Sequence, residues 1–412
     1  MGAKTMTTHV VFEQYDRRFA RAMASLPERR PWMDGDRAEI KRLAKKCLGI
    51  RDEWIPDIRA ETVRAVEHDG FSLEYLRFTS WPGVYGAAHL YLPRTSVKKP
   101  LPFVMLCCGH GGHGKLYQGY QAMARHIARR GAMVLVADNI GQGERRPMGH
   151  ADALVPFACG TSLQGLIVLE ALGWLRHAAC DRRVDRKRMA AIGNSGGGTL
   201  TMFLAALSQE LAALSSSGYP STFEFVARKE KKHCACNIIP KIVGALEMWH
   251  LYGCFAPRPL FIFQGAGDRM FPPDIFYRTA RKVAHAYAQR KAGGRFKFEV
   301  VDGAHSWDAP RNRLAGDFLA KIFKLAPAGK KDDFAGEKLL PETDACFDAW
   351  PAGAITAADL ARRLTGVKSR DGLKLWDIFP PARKGAGMEP VAARADPRVI
   401  MAQFEAFLKP GA

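Results

Sequence analysis

Arg188-Met189-Ala190-Ala191-Ile192-Gly193-Asn194-Ser195-Gly196-Gly197 runs straight into Gly198-Thr199-Leu200-Thr201-Met202-Phe203-Leu204-Ala205-Ala206-Leu207, and the join between the two runs decides the fold. The first run ends in a short apolar segment with the character of a strand, and the second reads as a helix from Thr199 to Leu207. Gly-x-Ser-x-Gly between a strand and a helix is the pattern of a nucleophile elbow. The turn is tight, so side chains at the flanking positions collide with the neighbouring strand and helix, and the serine takes a strained backbone. Such a turn holds Ser195 Oγ at the end of a sheet with a helix N-terminus beneath it. An ordinary glycine-rich strand-to-helix turn gives the same five letters, so the rest of the chain must decide.

Outward from the elbow, the chain alternates strand-like and helix-like runs. Phe71–Ser80 and Val84–Leu92 alternate as an antiparallel pair around Trp81-Pro82-Gly83. Pro102–Cys108 is a continuous apolar run, as in a strand buried on both faces. Tyr117–Arg130 reads as a helix ending at Gly131, Met133–Ala137 as a strand, and Ser162–Ala178 as a helix capped by Thr161 or Ser162. Beyond the elbow come strands at Leu211–Ser216, Pro259–Phe263 and Phe296–Val301, and helices at Pro273–Gln289 and Asp308–Phe323. Strands alternating with helices build right-handed crossovers and a mostly parallel sheet, with the early pair as antiparallel edge strands and helices on both faces. Residues 10–48 also read as helical.

Ligands bind such sheets at the carboxyl ends of the strands, so the residues after each strand carry the functional reading. Gly109-His110-Gly111-Gly112-His113-Gly114 follows the buried strand. It leaves backbone N–H groups free, and an oxyanion hole formed by Gly196 N–H with that of His110 or Gly111 is expected. As a phosphate loop it fails, because Gly114-Lys115-Leu116 lacks the hydroxyl that holds magnesium. It formally matches a dinucleotide fingerprint, but no acidic ribose partner is clearly placed after the next strand. Asp138-Asn139-Ile140-Gly141-Gln142-Gly143-Glu144-Arg145 borders the same region, with a structural role expected for Asp138. Gly265-Ala266-Gly267-Asp268 and Asp302-Gly303-Ala304-His305 follow the last two strands. Ser195, Asp268 and His305 therefore occur in the order nucleophile, acid, base. A serine hydroxyl needs a base to take its proton, and the base needs an acid to fix its tautomer.

Composition limits the alternatives. The 412 residues are 47 % hydrophobic and 25 % charged, ordinary for a globular protein. No run approaches the ~18 apolar residues of a membrane span. The start, Met1-Gly2-Ala3-Lys4-Thr5-Met6, has no apolar segment behind its lysine, so no export signal is expected. The net charge of +20 is spread mostly over surface helices rather than gathered in a tail, so no nucleic-acid partner is expected. Nine cysteines without repeated spacing read as reduced thiols, hence a cytoplasmic protein. His233-Cys234-Ala235-Cys236 crowds metal-capable residues together, yet it lacks a second Cys/His pair at zinc spacing, and no metal is assigned.

Further segments carry a resemblance: Val84–Pro93, Ala137–Glu144, Cys234–Pro240, Ala256–Leu260, Gly265–Asp268 and Phe271-Pro272. On these and the Ser195/Asp268/His305 set, the chain resembles the α/β-hydrolase superfamily, and more closely its acetyl xylan esterase-like and dienelactone hydrolase-like branch. The likeness spans roughly residues 60–325. It implies hydrolysis of carboxylic esters through an acyl-enzyme, without a cofactor and often on acetylated sugars, and a structural place for Cys234 and Cys236. The expected substrate is a small-molecule or carbohydrate ester, with no substrate-binding residue assigned. Relatives that act on plant polysaccharide are often exported, which argues against xylan for this chain. Residues 1–60 are expected as a helical segment on the core, 61–326 as the catalytic domain and 327–412 as an extension without counterpart. That extension holds expected helices at Ala357–Leu364, capped by Thr356, and Pro397–Leu408, capped by Asp396. Two rival readings are a serine peptidase of prolyl-oligopeptidase type and a non-catalytic binder on the same scaffold. The ~60–100 residues before the core are too few for the former's propeller.

Overall fold

A computed structural model describes residues 34–94, 99–110, 113–150, 154–228, 234–237, 239, 242, 244–329, 339–341 and 343–371. Helix α1 (Asp34–Leu48) precedes β1 (Arg59–His68), β2 (Phe71–Thr79), β3 (Tyr85–Pro93) and β4 (Leu101–Cys107). Then follow α2 (Gln118–Arg129), β5 (Met133–Ala137), α3 (Leu154–Ala158), α4 (Leu163–Cys180), β6 (Val184–Asn194) and α5 (Gly196–Leu207). The last part runs β7 (Ala213–Ser217), α6 (Phe223–Arg228), α7 (Met248–Gly253), β8 (Leu260–Gly265), α8 (Pro273–Gln289), β9 (Phe296–Val301), α9 (Ala309–Phe323) and α10 (Ala357–Thr365).

The nine strands form one sheet in the order β1-β2-β3-β5-β4-β6-β7-β8-β9. β1, β2 and β3 pair antiparallel, as do β3 and β5, and every pair from β5 to β9 is parallel. This is the expected mostly parallel sheet with antiparallel edge strands. β1 is an addition: its residues are largely exposed, and Arg59-Ala60-Glu61-Thr62-Val63-Arg64 gives little apolar alternation to read. The helix expected over residues 10–48 is seen from Asp34 to Leu48, and the rest of that range lies outside the described residues.

The apolar run of β4 is explained by its two buried faces. Phe103, Met105 and Cys107 point into one core layer with α1, α4, α5 and α8. Val104, Leu106 and Cys108 point into the other with α2 and α9. Caps fix the helix starts where the sequence places them. Ser162 Oγ accepts from Gly165 N (3.0 Å) at α4, and Asp308 Oδ1 accepts from Arg311 N (3.2 Å) at α9. Thr356 and Asp359 form a reciprocal box at α10.

The described part of the C-terminal segment lies against the sheet and its antiparallel edge. Leu340 N donates to Gln121 Oε1 (2.8 Å), and Tyr75 Oη donates to Asp344 Oδ2 (2.7 Å). Arg77 Nε donates to Cys346 O (2.6 Å), Ile355 N donates to Gly83 O (2.9 Å), and α10 packs on α3 with Leu360 fully buried. The helix expected at Pro397–Leu408, with Asp396, lies outside the described residues. Among the described residues no helix is long and apolar enough to cross a membrane.

Candidate active site

Ser195 sits between β6 and α5 with φ 57° and ψ −120°, a left-handed conformation unusual for a residue with a side chain. Its N–H donates to Ser217 O at the end of β7 (3.0 Å), and its carbonyl accepts from Thr199 N in the first turn of α5 (2.9 Å). The glycines around it are required by space. A Cβ at Gly193 would lie 2.4 Å from Gly197 O, and one at Gly197 would lie 2.1 Å from Cys107 O. The elbow is therefore wedged against β4, and the strain at Ser195 is held by packing on both sides.

Asp268 and His305, from the loops after β8 and β9, meet beside it. His305 Nδ1 donates to Asp268 Oδ2 (2.8 Å). Because a carboxylate only accepts, the proton of this contact lies on Nδ1. Asp268 is buried and filled by donors: Met270 N and Phe271 N reach Oδ1 (2.8 and 2.9 Å), and Gln264 Nε2 reaches Oδ2. His305 Cε1 lies 3.1 Å from where a Cβ on Gly218 would stand, and Gly218 directly follows the carbonyl that receives Ser195 N–H. The imidazole thus lies over the strand end that anchors the serine.

The loop after β4 closes the other side. A Cβ on Gly109 would stand 3.3 Å from Gly196 N, and one on Gly196 would stand 2.5 Å from His110 Nδ1. Gly109 N–H is already spent on Tyr120 Oη, so it is not directed at the site. Of the expected oxyanion residues, Gly196 and His110 are adjacent, and Gly111 lies outside the described residues.

Asp138 has the expected structural place. It is buried, and its Oδ1 accepts from Lys115 N (2.7 Å), while its Oδ2 takes Lys115 Nζ (3.0 Å) and Glu144 N (3.1 Å). Burial works against the Lys115 ammonium, but Asp138 and Glu144 outweigh it and hold its pKa above the ordinary lysine value. Glu144 also accepts from Cys346 N and Phe347 N, which ties the C-terminal segment to this loop.

Sequence reasoning missed two supports of Asp268 and His305. Gln264, the fully buried fifth residue of β8, orients Asp268. Arg311 donates to Ala304 O (2.7 Å) and Asp302 O (3.3 Å), which fixes the His305 loop from the first turn of α9. A buried glutamine four residues before an acidic loop was a readable signal, whereas the path of Arg311 back across its own helix start was not. The pair Cys234 and Cys236, left without partners in the sequence reading, lies beside His110 and His150, while His233 is outside the described residues. Hydrogen bonding from Cys236, then from His110 and His150, outweighs burial and draws the Cys234 thiol well below its ordinary pKa.

No protein-family model matches the chain. It is 22 % identical over 298 residues to "Putative hydrolase YtaP" of Bacillus subtilis (strain 168), covering 69 % of this chain and 99 % of that protein. Among solved structures, Methylesterase BT1017 superposes with a TM-score of 0.64 at 22 % identity, over 80 % of this chain and 73 % of that one. A "putative acetyl xylan esterase" from Bacteroides fragilis NCTC 9343 does so with a TM-score of 0.55 at 16 % identity, over 64 % and 74 %. With the sheet order above, these likenesses establish the α/β-hydrolase fold.

Proposed function

We propose that this α/β-hydrolase fold serves a serine esterase that cleaves carboxylic esters with small acyl groups, acetyl esters among them, through an acyl-enzyme. The observation that carries the reading is the 2.8 Å His305–Asp268 hydrogen bond over the strand end beside a strained Ser195. In this scheme His305 Nε2 takes the Ser195 proton as Oγ bonds to the ester carbonyl, then delivers it to the departing alcohol. Asp268 holds the imidazole in the required tautomer and stabilises the imidazolium. The N–H groups of Gly196 and of His110 or Gly111 receive the negative charge on the tetrahedral oxygen. One such donor is worth ~3–4 kcal/mol in the transition state. Water then attacks the acyl group by the same route in reverse, regenerating Ser195. No cofactor takes part in these steps.

The names of the structural neighbours support an ester as substrate, and a carbohydrate ester is one form of it. Residues 61–326 carry the chemistry in this reading, and no role in it is assigned to 327–412. The cysteines form no disulfide among the described residues and most are buried, which accords with a reducing, cytoplasmic setting. A panel of acetyl, longer-acyl and methyl esters, run beside Ser195→Ala and with fluorophosphonate labelling, tests the reading. Turnover and labelling that both vanish in Ser195→Ala are expected. A wild-type chain that neither turns over any ester nor takes the label refutes it.

A further inference from the structure

We propose that His110, His150, Cys234 and Cys236 bind one zinc ion beside the candidate active site. Each residue offers one ligand atom, and all four atoms lie within 4.8 Å of one another. Two sulfurs and two imidazole nitrogens form a donor set that zinc prefers, and four protein ligands make a closed, tetrahedral site.

The four residues come from three loops at the carboxyl ends of the parallel strands. His110 follows β4, His150 lies beyond β5, and the two cysteines belong to the connection between β7 and β8. Proximity of residues this far apart in sequence is a property of the fold, not of a local motif. His150 is already set as a ligand. Its Nδ1 donates to Ile140 O (2.8 Å), the backbone contact that orients ligating histidines and leaves Nε2 for the metal. That Nε2 is buried without a nitrogen or oxygen partner among the described residues, and it faces the cysteine pair. His110 Nε2 lies 2.6 Å from Cys236 Sγ, and the two histidine rings meet edge to face at 5.6 Å. With Zn–S of about 2.3 Å and Zn–N of about 2.0 Å, tetrahedral edges are about 3.3–3.8 Å. An ion at the centre would part the closest pair, 2.6 Å apart, by about 1 Å and draw in the widest, at most 4.8 Å apart, by about as much.

Binding converts both thiols to thiolates and releases their two protons to solvent, so the doubly charged ion ends neutral with its ligands. With no open position the ion is not a Lewis acid for the substrate. Its role is to staple three loops together, one of which carries His110 against Gly196. The assignment concerns metal content alone and stands apart from the esterase reading.

The test is metal analysis of the full chain, produced with zinc in the medium and purified without chelator. About one zinc per chain is expected, with a more than tenfold loss in Cys234→Ser, Cys236→Ser and His150→Ala. Cys180→Ser, at an exposed thiol on α4, should retain it. Because a ligand variant can fail to fold, cobalt(II) is also titrated into the metal-stripped wild type. A thiolate-to-cobalt charge-transfer band saturating at one equivalent supports the site. The proposal is overturned by wild-type protein that holds no zinc as purified and binds neither zinc nor cobalt. It is equally overturned by a Cys234–Cys236 disulfide, seen as a loss of two hydrogens in intact mass, or by stoichiometric iron in place of zinc.

Discussion

Asp268→Asn separates the role of the acid from its packing. The carboxylate takes four hydrogen bonds, two backbone N–H groups on Oδ1 and His305 Nδ1 with Gln264 Nε2 on Oδ2. The asparagine oxygen takes over the Oδ1 position, because only an acceptor satisfies Met270 N and Phe271 N. Its NH2 group then faces His305, which must accept at Nδ1 and carry its proton on Nε2. An Nε2 that already bears a proton cannot take one from Ser195. In enzymes built on this triad the wrong tautomer lowers kcat about ten-thousandfold, or about 5 kcal/mol of barrier. The fold suffers less. The new NH2 also faces the Gln264 amide, whose Oε1 is buried without a partner, and one mismatched contact costs about 1–3 kcal/mol. The assay is kcat/KM on 4-nitrophenyl acetate for wild type, Asp268→Asn and Ser195→Ala, with thermal melting of each. An Asp268→Asn enzyme within about tenfold of wild type, beside an inactive Ser195→Ala, would show that Asp268 does not set the tautomer of the base.

Ser195→Ala and His305→Ala should lose comparable activity, because a nucleophile and its base fail as a unit; full activity in His305→Ala would mean a different base. Gly197→Ala places a Cβ 2.1 Å from the Cys107 carbonyl, so it should lower stability by about 1–3 kcal/mol or more, read as a drop in the denaturation midpoint. An unchanged midpoint would disprove the wedge of elbow against β4. Glu247 is buried beneath α6 and α7, and burial lifts its pKa to about 7 despite the N–H groups of Phe223, Glu224 and Met248. A carboxyl raised in the folded state favours the fold when protonated, so its contribution is full below the unfolded value near 4.3 and fades as pH rises through 7. The melting temperature should therefore fall between pH 5 and 8, and Glu247→Gln should flatten that fall; an equal fall in the variant would place the titration elsewhere.

What a single strand or helix needs was legible in the chain. The continuous apolar run of β4 reflects burial on both faces, the caps at Ser162, Asp308 and Thr356 mark helix starts, and the glycines around Ser195 reflect a turn that allows no side chain. These are local requirements, imposed within a few residues of where they are read. β1 escaped because an exposed edge strand needs no apolar alternation, and its pairing with β2 is what makes it a strand.

The sequence by itself determined the alternation of the main strands and helices from β2 onward, and with it that Ser195, Asp268 and His305 all follow strands of one parallel sheet. Strand ends of such a sheet share one edge, so their loops converge without further instruction. Only the tertiary structure decided which side chains touch once there. The Gln264 and Arg311 supports, the docking of Asp344 and Cys346 on the core, and the meeting of His110 and His150 with Cys234 and Cys236 join residues whose spacing along the chain has no period. Periodicity reports what a segment does with its own faces. Contacts between loops depend on the depth and angle at which packed elements present them, and those are fixed only when the whole core closes.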